Sequence, residues 1–264
     1  MPEAEPSTPA SYHIIIPARM DSSRLPGKML AEVDGRPLIL HTLDQARRSH
    51  AASVHVATDS QRIADVVNAA DGHAIMTDRD HASGTDRLVE AVAELQLADD
   101  AIVVNLQGDE PEMPAQCLQQ VADLLAFQSS AQMSTLWSAI TDQAAWQDPN
   151  VVKVLSDHSG RALYFSRAGI PHVRSGSWPG ENGGHNKHAK KQARRHIGLY
   201  AYRTSALRAW PKLPASPLEQ LESLEQLRAL QAGWQIATAQ AIKPVPGGID
   251  TPADLQKFRQ KLAP

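Results

Sequence analysis

Hydrophobic positions fall into two rhythms along the first half of the chain. Short apolar runs, "YHIIIPA" (12–18), "SVHVAT" (53–58), "HAIMT" (73–77) and "AIVVNL" (101–106), read as strands. Between them, 37–49, 60–70 and 84–96 space their apolar residues at helical period. A further helix is expected over roughly 114–127 and a strand at "MSTLWSAI" (133–140). Strand–helix–strand alternation with short connections predicts right-handed βαβ units and a parallel sheet covered on both faces.

The second half changes character. In "VVKVLSDHSGRALYFSR" (151–167) two β-rich runs flank Asp157-His158-Ser159-Gly160, a hairpin signal. Residues 172–195 are polar, glycine-rich and basic without apolar period, as suits a flexible lid or dimer arm. "HIGLYAYR" (196–203) returns as a strand, and 216–233 reads as one helix ended by Gly233. Its leucines at 218, 221, 224, 227 and 230 suit a packing face rather than a heptad zipper. A strand over 234–242 precedes a closing helix over 251–262, with Thr251 as N-cap and Pro252 at the first position. The expectation is a disordered tail over 1–10, then one doubly wound α/β domain over 11–264. That domain carries a smaller β-rich insertion with its basic segment at about 151–203.

Composition narrows the function classes. The 264 residues are 42% hydrophobic and 21% charged, with a net charge of −3, so nothing global favours a nucleic acid or an anionic membrane as partner. An anion site must therefore be local. The basic tract "KHAKKQARR" lacks the interleaved aromatics of a strand-binding surface. Cys117 stands alone, which excludes an internal disulfide and suits a small buried hydrophobe in a reducing cytoplasm. No apolar run approaches the roughly 20 residues of a membrane span, and the start lacks the order of a signal peptide. Among eleven histidines, His185, His188 and His196 show no H-E-x-x-H pattern and read as surface residues.

Chemistry gathers after the first strand. In "IIIPARMDSSRLPGK" the loop from Ala18 brings Arg19, Arg24 and Lys28 together with free backbone N–H groups. The first βα loop of a doubly wound sheet usually lies at the ligand crevice, where arginine forks and a lysine point charge suit a triphosphate. It is not a Walker A loop, since Ser22 and Met29 stand where glycine and a hydroxyl residue are needed. Carboxylates appear at two further places: Asp109 and Glu110 after the strand at 101–106, and Asp250 before the last helix. Each alone is equally a turn residue. Asp109 and Asp250 together, beside a triphosphate cradle, suit Mg²⁺, which takes one or two carboxylates plus phosphate oxygens.

With these pieces in place the chain resembles the 3-deoxy-manno-octulosonate (Kdo) cytidylyltransferases, the CMP-Kdo synthetases, over almost its whole length. The matching segments are "IIPARMDSSRLPGKML", "VATDSQRIADVV", "DHASGTDRL", "VNLQGDEPEMP", "ALYFSRAGIP", "RHIGLYAYR", "SPLEQLESLEQLR" and "GGIDTPADL". The first four echo sugar nucleotidyltransferases generally; the last four belong to the sugar-binding half and discriminate better. The resemblance implies a Rossmann-like nucleotidyltransferase domain with a dimerisation and sugar-binding insertion. It implies a Mg²⁺-dependent cytoplasmic homodimer that turns CTP and Kdo into CMP-Kdo and pyrophosphate for lipopolysaccharide synthesis. By motif, Arg19 and Lys28 would grip the nucleotide phosphates, with Ala18 and Arg24 also at the nucleotide. Ser83 and Arg87 would frame the cytosine, and Asp109 and Asp250 would hold magnesium. Gln107 would lie at the sugar, Arg167 at its carboxylate, and His196, Tyr200, Glu225 and Gln226 at its hydroxyls. The 8-amino-8-deoxy analogue of Kdo is the alternative acceptor, whereas the pairing of "RHIGLYAYR" with "SPLEQLESLEQLR" argues against a sialic acid. The tail and the long basic stretch from His172 to Arg194 depart from the family pattern.

Overall fold

Strand β1 (Tyr12–Ala18) explains its three isoleucines by position. Ile14 and Ile16 are buried on one side of the sheet and Ile15 on the other. A strand covered on both faces reads as a continuous apolar run rather than an alternating one. The computed structural model describes residues 9–22, 25–81, 83–172, 174 and 192–262. Arg24, His185, His188, the first eight residues and most of the basic stretch lie outside the described residues.

Strands β4 (Ser53–Thr58) and β5 (Ala74–Met76) follow on one side of β1, and β6 (Ile102–Asn105) pairs with its other side; all are parallel. Helices α1 (Leu38–Arg47), α2 (Gln61–Ala69) and α4 (Ala115–Phe127) cover the Ile14 and Ile16 face, while α3 (Gly84–Glu94) covers the Ile15 face. The direction of strand addition reverses between β1 and β6. A crevice at the carboxyl ends of those two strands is where such sheets bind ligands.

Past β6 the sheet departs from the all-parallel expectation. Strand β10 (Arg194–Arg203) lies between β6 and β7 (Met133–Ala139), antiparallel to both, and β11 (Ile236–Gln240) closes the edge parallel to β7. The stretch expected as an insertion thus supplies a central strand of the main sheet. Strand β10 also begins two residues early, inside the basic tract: Ala193 is buried and the Arg194 guanidinium lies 4.2 Å from the centre of the Trp137 ring. The expected hairpin forms from β8 (Lys153–Ser156) and β9 (Ala162–Ser166). Asp157 closes its turn by accepting the backbone N–H groups of Ser159 and Arg161.

The helix expected over 216–233 is two helices, α7 (Pro217–Glu222) and α8 (Gln226–Gln231), because Ser223 adopts a left-handed conformation at φ 50°. The cause comes from β9. The Glu222 carboxylate accepts Ser166 Oγ at 2.6 Å and the Arg167 N–H at 2.9 Å. The Arg167 guanidinium draws the Glu222 and Ser223 carbonyls at 2.6 and 3.3 Å. Leu221 is consequently 82% exposed, so the leucine row is not one continuous packing face.

Short elements without periodic pattern complete the chain: β2 (Glu32–Val33) paired with β3 (Arg36–Pro37), α5 (Gln143–Gln147) and α6 (Thr204–Ala209). Helix α9 (Pro252–Leu262) starts as expected. Thr251 Oγ1 accepts the Asp254 N–H at 3.2 Å while Asp254 accepts the Thr251 N–H at 2.9 Å. Leu255 and Phe258 of α9 pack with Ile249, Val33 and Leu38, anchoring the segment that carries Asp250. Among the described residues no helix is long and apolar enough to cross a membrane.

Candidate active site

Two cavities adjoin at the carboxyl ends of β1 and β6. The larger, of about 370 Å³, is lined by Arg19 and Lys28 of the cationic loop, Ser83 and Arg87 at the start of α3, and Asp109 and Asp250. Gly108 makes room for this arrangement. A Cβ there would sit 2.9 Å from Met29 Sδ and 3.1 Å from the Pro17 carbonyl, and the Gly108 carbonyl is held by Thr42 Oγ1 at 2.8 Å.

Lys28 is buried and its Nζ donates to Asp109 Oδ2 at 2.6 Å and to Asp250 Oδ1 at 3.3 Å. The two carboxylate segments are tied by backbone as well, since the Ile249 N–H donates to the Asp109 carbonyl at 2.8 Å. Convergence of both carboxylates on one ammonium tests their fit to a cation. Two hard oxygen groups reach a single positive centre beside a space large enough for phosphates, which is the donor set magnesium accepts. Glu110, next in sequence, turns inward. Burial first, then the Asp109 carboxylate, pushes its carboxyl up to about 8, and its Oε2 has no hydrogen-bond partner among the described residues.

Arg87 lines this cavity but points its hydrogen bonds away from it. It pairs with Asp59 at 3.0 Å and also contacts the Thr77 hydroxyl and the Asp78 carbonyl. The other Asp59 oxygen accepts the Met20 N–H at 3.3 Å, so the buried arginine secures the cationic loop through an aspartate. Ser83 caps α3 by accepting the Asp86 N–H at 3.2 Å. Arg19 is exposed at the rim.

The smaller cavity, of about 230 Å³, shares Gly84, Gln107 and Glu225 with the first and adds Tyr200 and Gln226. The Tyr200 hydroxyl and Gln226 Nε2 are buried and lack hydrogen-bond partners among the described residues. Burial raises the Tyr200 hydroxyl well above its ordinary value, so it stays protonated and able to donate. A bulge in β10 shapes this wall. Ile197 faces Leu136 and Tyr200 faces Thr135, which leaves Gly198 and Leu199 extra, and the Thr135 hydroxyl lies within donating distance of the Ile197 and Leu199 carbonyls, at 2.9 and 2.8 Å.

His196 sits behind that wall rather than on the surface. Its ring packs edge-on to Phe165 and against Tyr200, with Nε2 3.0 Å from Thr135 Oγ1. Burial, with Arg195 nearby, lowers its pKa to about 3, so it remains neutral. Arg167 lines neither cavity; its guanidinium is spent on the carbonyls of Glu222, Pro149 and Ser223.

Of the residues marked by sequence, Arg19, Lys28, Ser83, Arg87, Asp109 and Asp250 meet in one cavity, Tyr200 and Gln226 in the other, and Gln107 and Glu225 in both. Ala18, itself buried, also lines the first. Sequence reasoning missed Thr85, Asn105 and Tyr202, which line the smaller cavity. A signal existed for two of them: Asn105 is a buried polar residue ending an apolar strand, and Tyr202 repeats Tyr200 at the period of a strand.

Known proteins resemble this chain in sequence and fold. A cytidylyltransferase family model matches residues 13–237. A 3-deoxy-manno-octulosonate cytidylyltransferase of Hahella chejuensis (strain KCTC 2396) is 47% identical over 254 residues, covering 96% of this chain and 98% of its own. One of Francisella tularensis subsp. novicida (strain U112) is 45% identical over 256 residues, covering 95% and 98%. A solved CMP:2-keto-3-deoxy-manno-octonic acid synthetase complexed with CTP superposes with a TM-score of 0.85 at 40% identity, covering 96% of this chain and 98% of that one.

Proposed function

The chain belongs to the cytidylyltransferase family, and within it to the 3-deoxy-manno-octulosonate cytidylyltransferases; from that premise we propose how its two joined cavities divide the work. The enzyme transfers CMP from CTP to the anomeric hydroxyl of Kdo, giving CMP-Kdo and pyrophosphate, a product that serves lipopolysaccharide synthesis. In our reading CTP occupies the larger cavity and Kdo the smaller. The observation that carries this division is the shared wall: Gln107 and Glu225 face both spaces, so a sugar hydroxyl and an α-phosphate would meet there.

In the reaction the anomeric oxygen forms a bond to the α-phosphorus as the bond from that phosphorus to the bridging oxygen breaks. Catalysis of such a step rests on positioning and on neutralising charge on the phosphate oxygens, with little covalent work for the protein. Arg19 and Lys28 supply positive charge to the triphosphate, and Lys28 keeps Asp109 and Asp250 paired until substrate enters. Asp109 and Asp250 are the residues that would hold Mg²⁺, which when bound neutralises phosphate charge and acidifies a hydroxyl. Ser83 and the start of α3 frame the base, and Arg87 with Asp59 keeps the loop in place. Tyr200 and Gln226 offer unsatisfied groups to the sugar hydroxyls. Arg167 serves the sugar side by fixing the corner between α7 and α8. Assembly as a homodimer and residence in the cytoplasm belong to the same reading.

Pyrophosphate release from CTP and Mg²⁺ in the presence of Kdo, its 8-amino analogue, N-acetylneuraminate or no sugar tests the acceptor. Release that is strongest with Kdo is expected. Equal or greater release with the 8-amino analogue would transfer the assignment to that sugar.

A further inference from the structure

Gly198 stands in the bulge of β10 with buried neighbours on both sides. Ile197 and Leu199 lie in the core on the Ile14 and Ile16 face of the sheet. The position between them therefore faces the other side, as Tyr200 and Tyr202 do. The smaller cavity opens on that side, and Gly198, itself exposed, forms part of its wall.

Nothing in the protein's own packing asks for glycine here. Its φ lies outside the left-handed region that other residues avoid. A Cβ at Gly198 would meet no atom within 4 Å among the described residues, whereas one at Gly108 would collide with Met29 Sδ at 2.9 Å. The bulge is held from a neighbouring strand: the buried Thr135 hydroxyl lies 2.9 and 2.8 Å from the carbonyls of Ile197 and Leu199. The bulge also brings His196 and Tyr200, four residues apart, to 5.3 Å between ring centres, so the wall on either side of Gly198 is fixed. Glycine inside a strand costs stability relative to alanine and often marks the close approach of a ligand or of another backbone. With no other backbone within 4 Å of that Cβ among the described residues, a ligand remains.

We infer that Gly198 is a specificity-determining residue for the sugar: by leaving the β10 backbone bare at the cavity wall, it gives the acceptor the space that any side chain would take. This inference rests on the assignment of the smaller cavity to Kdo. The same walls carry the buried Tyr200 hydroxyl and the Gln226 amide nitrogen, both without partners among the described residues, so a polar ligand held by them lies against Gly198. At about 230 Å³ the cavity is small for a ligand site, so each added methyl group counts.

The test is steady-state pyrophosphate release by wild type, Gly198→Ala, Gly198→Val and Tyr200→Phe, with CTP and Kdo varied separately and each protein melted thermally. Both glycine variants should melt at or above the wild-type temperature, since their backbone is unstrained. The KM for Kdo should rise about tenfold in Gly198→Ala and further in Gly198→Val, while the KM for CTP holds. A lower melting temperature in Gly198→Ala would overturn the inference by showing that the fold itself needs the glycine. A KM for Kdo that stays normal in Gly198→Val but rises in Tyr200→Phe would overturn it while leaving the sugar in this cavity. If neither Gly198→Val nor Tyr200→Phe alters Kdo use, the assignment of the cavity falls, and this role with it.

Discussion

The ammonium of Lys28 lies 2.6 Å from the carboxylate of Asp109, and the two side chains come from loops that follow neighbouring strands β1 and β6. The same ammonium is 3.3 Å from Asp250, so one buried cation holds apart two acids that would otherwise repel.

The first prediction concerns that pairing. Lys28→Met leaves Asp109 and Asp250 facing one another without a counter-charge. It should destabilise the metal-free protein by about 2 kcal/mol, below the full penalty for a buried pair because Asp250 is 43% exposed and partly screened. Added Mg²⁺ should restore more of the melting temperature in this variant than in wild type. Equal responses of the two proteins to Mg²⁺ in a thermal melt would count against a cation site between the acids.

Asp59 joins Arg87 to the cationic loop through the Met20 N–H. Asp59→Asn removes the charge facing an arginine that is 3% exposed, which should cost about 3 kcal/mol in a denaturant titration. Because the loop loses its anchor, CTP affinity should fall as well. A stability loss with unaltered CTP affinity, measured by calorimetry, would confine Asp59 to the core.

Arg167 acts, on this account, through the backbone carbonyls of Glu222 and Ser223. Arg167→Lys keeps the charge but not the fork, so it should weaken Kdo use nearly as much as Arg167→Ala. If the lysine variant instead keeps a normal KM for Kdo, positive charge rather than the corner is what matters.

Stability should depend on pH through the neutral histidines. The folded pKa of His196 is about 3 and those of His13 and His55 are also lowered, burial being the largest cause in each. An unfolded histidine binds its proton near pH 6.5, so the unfolded state takes up more protons below that value. The contribution from His196 is present above pH 6.5 and is lost as the pH falls toward 3, and His13 and His55 add to the loss as the pH falls below 6.5. In urea titrations the stability of wild type relative to His196→Gln should fall by about 3 kcal/mol between pH 7.5 and 4.5. A gap between the two that stays constant from pH 7.5 to 4.5 would contradict the shift.

Sequence made some of these features visible and hid others for physical reasons. Burial on both faces writes β1 as an apolar run, and a charge ending the apolar strand before it marks Asp109. The place of β10 was hidden because antiparallel pairing with β6 and β7 joins residues far apart in the chain. The break at Ser223 was hidden because its cause, Arg167, lies 56 residues away. The helical period of 216–233 simply continues through it. Arg87 carries its motif openly, yet that it serves the loop through Asp59 follows only from their contact.

The measurement that bears most directly on the central claim is pyrophosphate release from CTP and Kdo by Asp109→Asn, with folding checked by circular dichroism. The account predicts a folded protein whose turnover falls by about a thousandfold or more, the scale of losing a group that organises charge in the transition state. Turnover close to wild type would remove Asp109 from the metal site and contradict the division of labour between the two cavities.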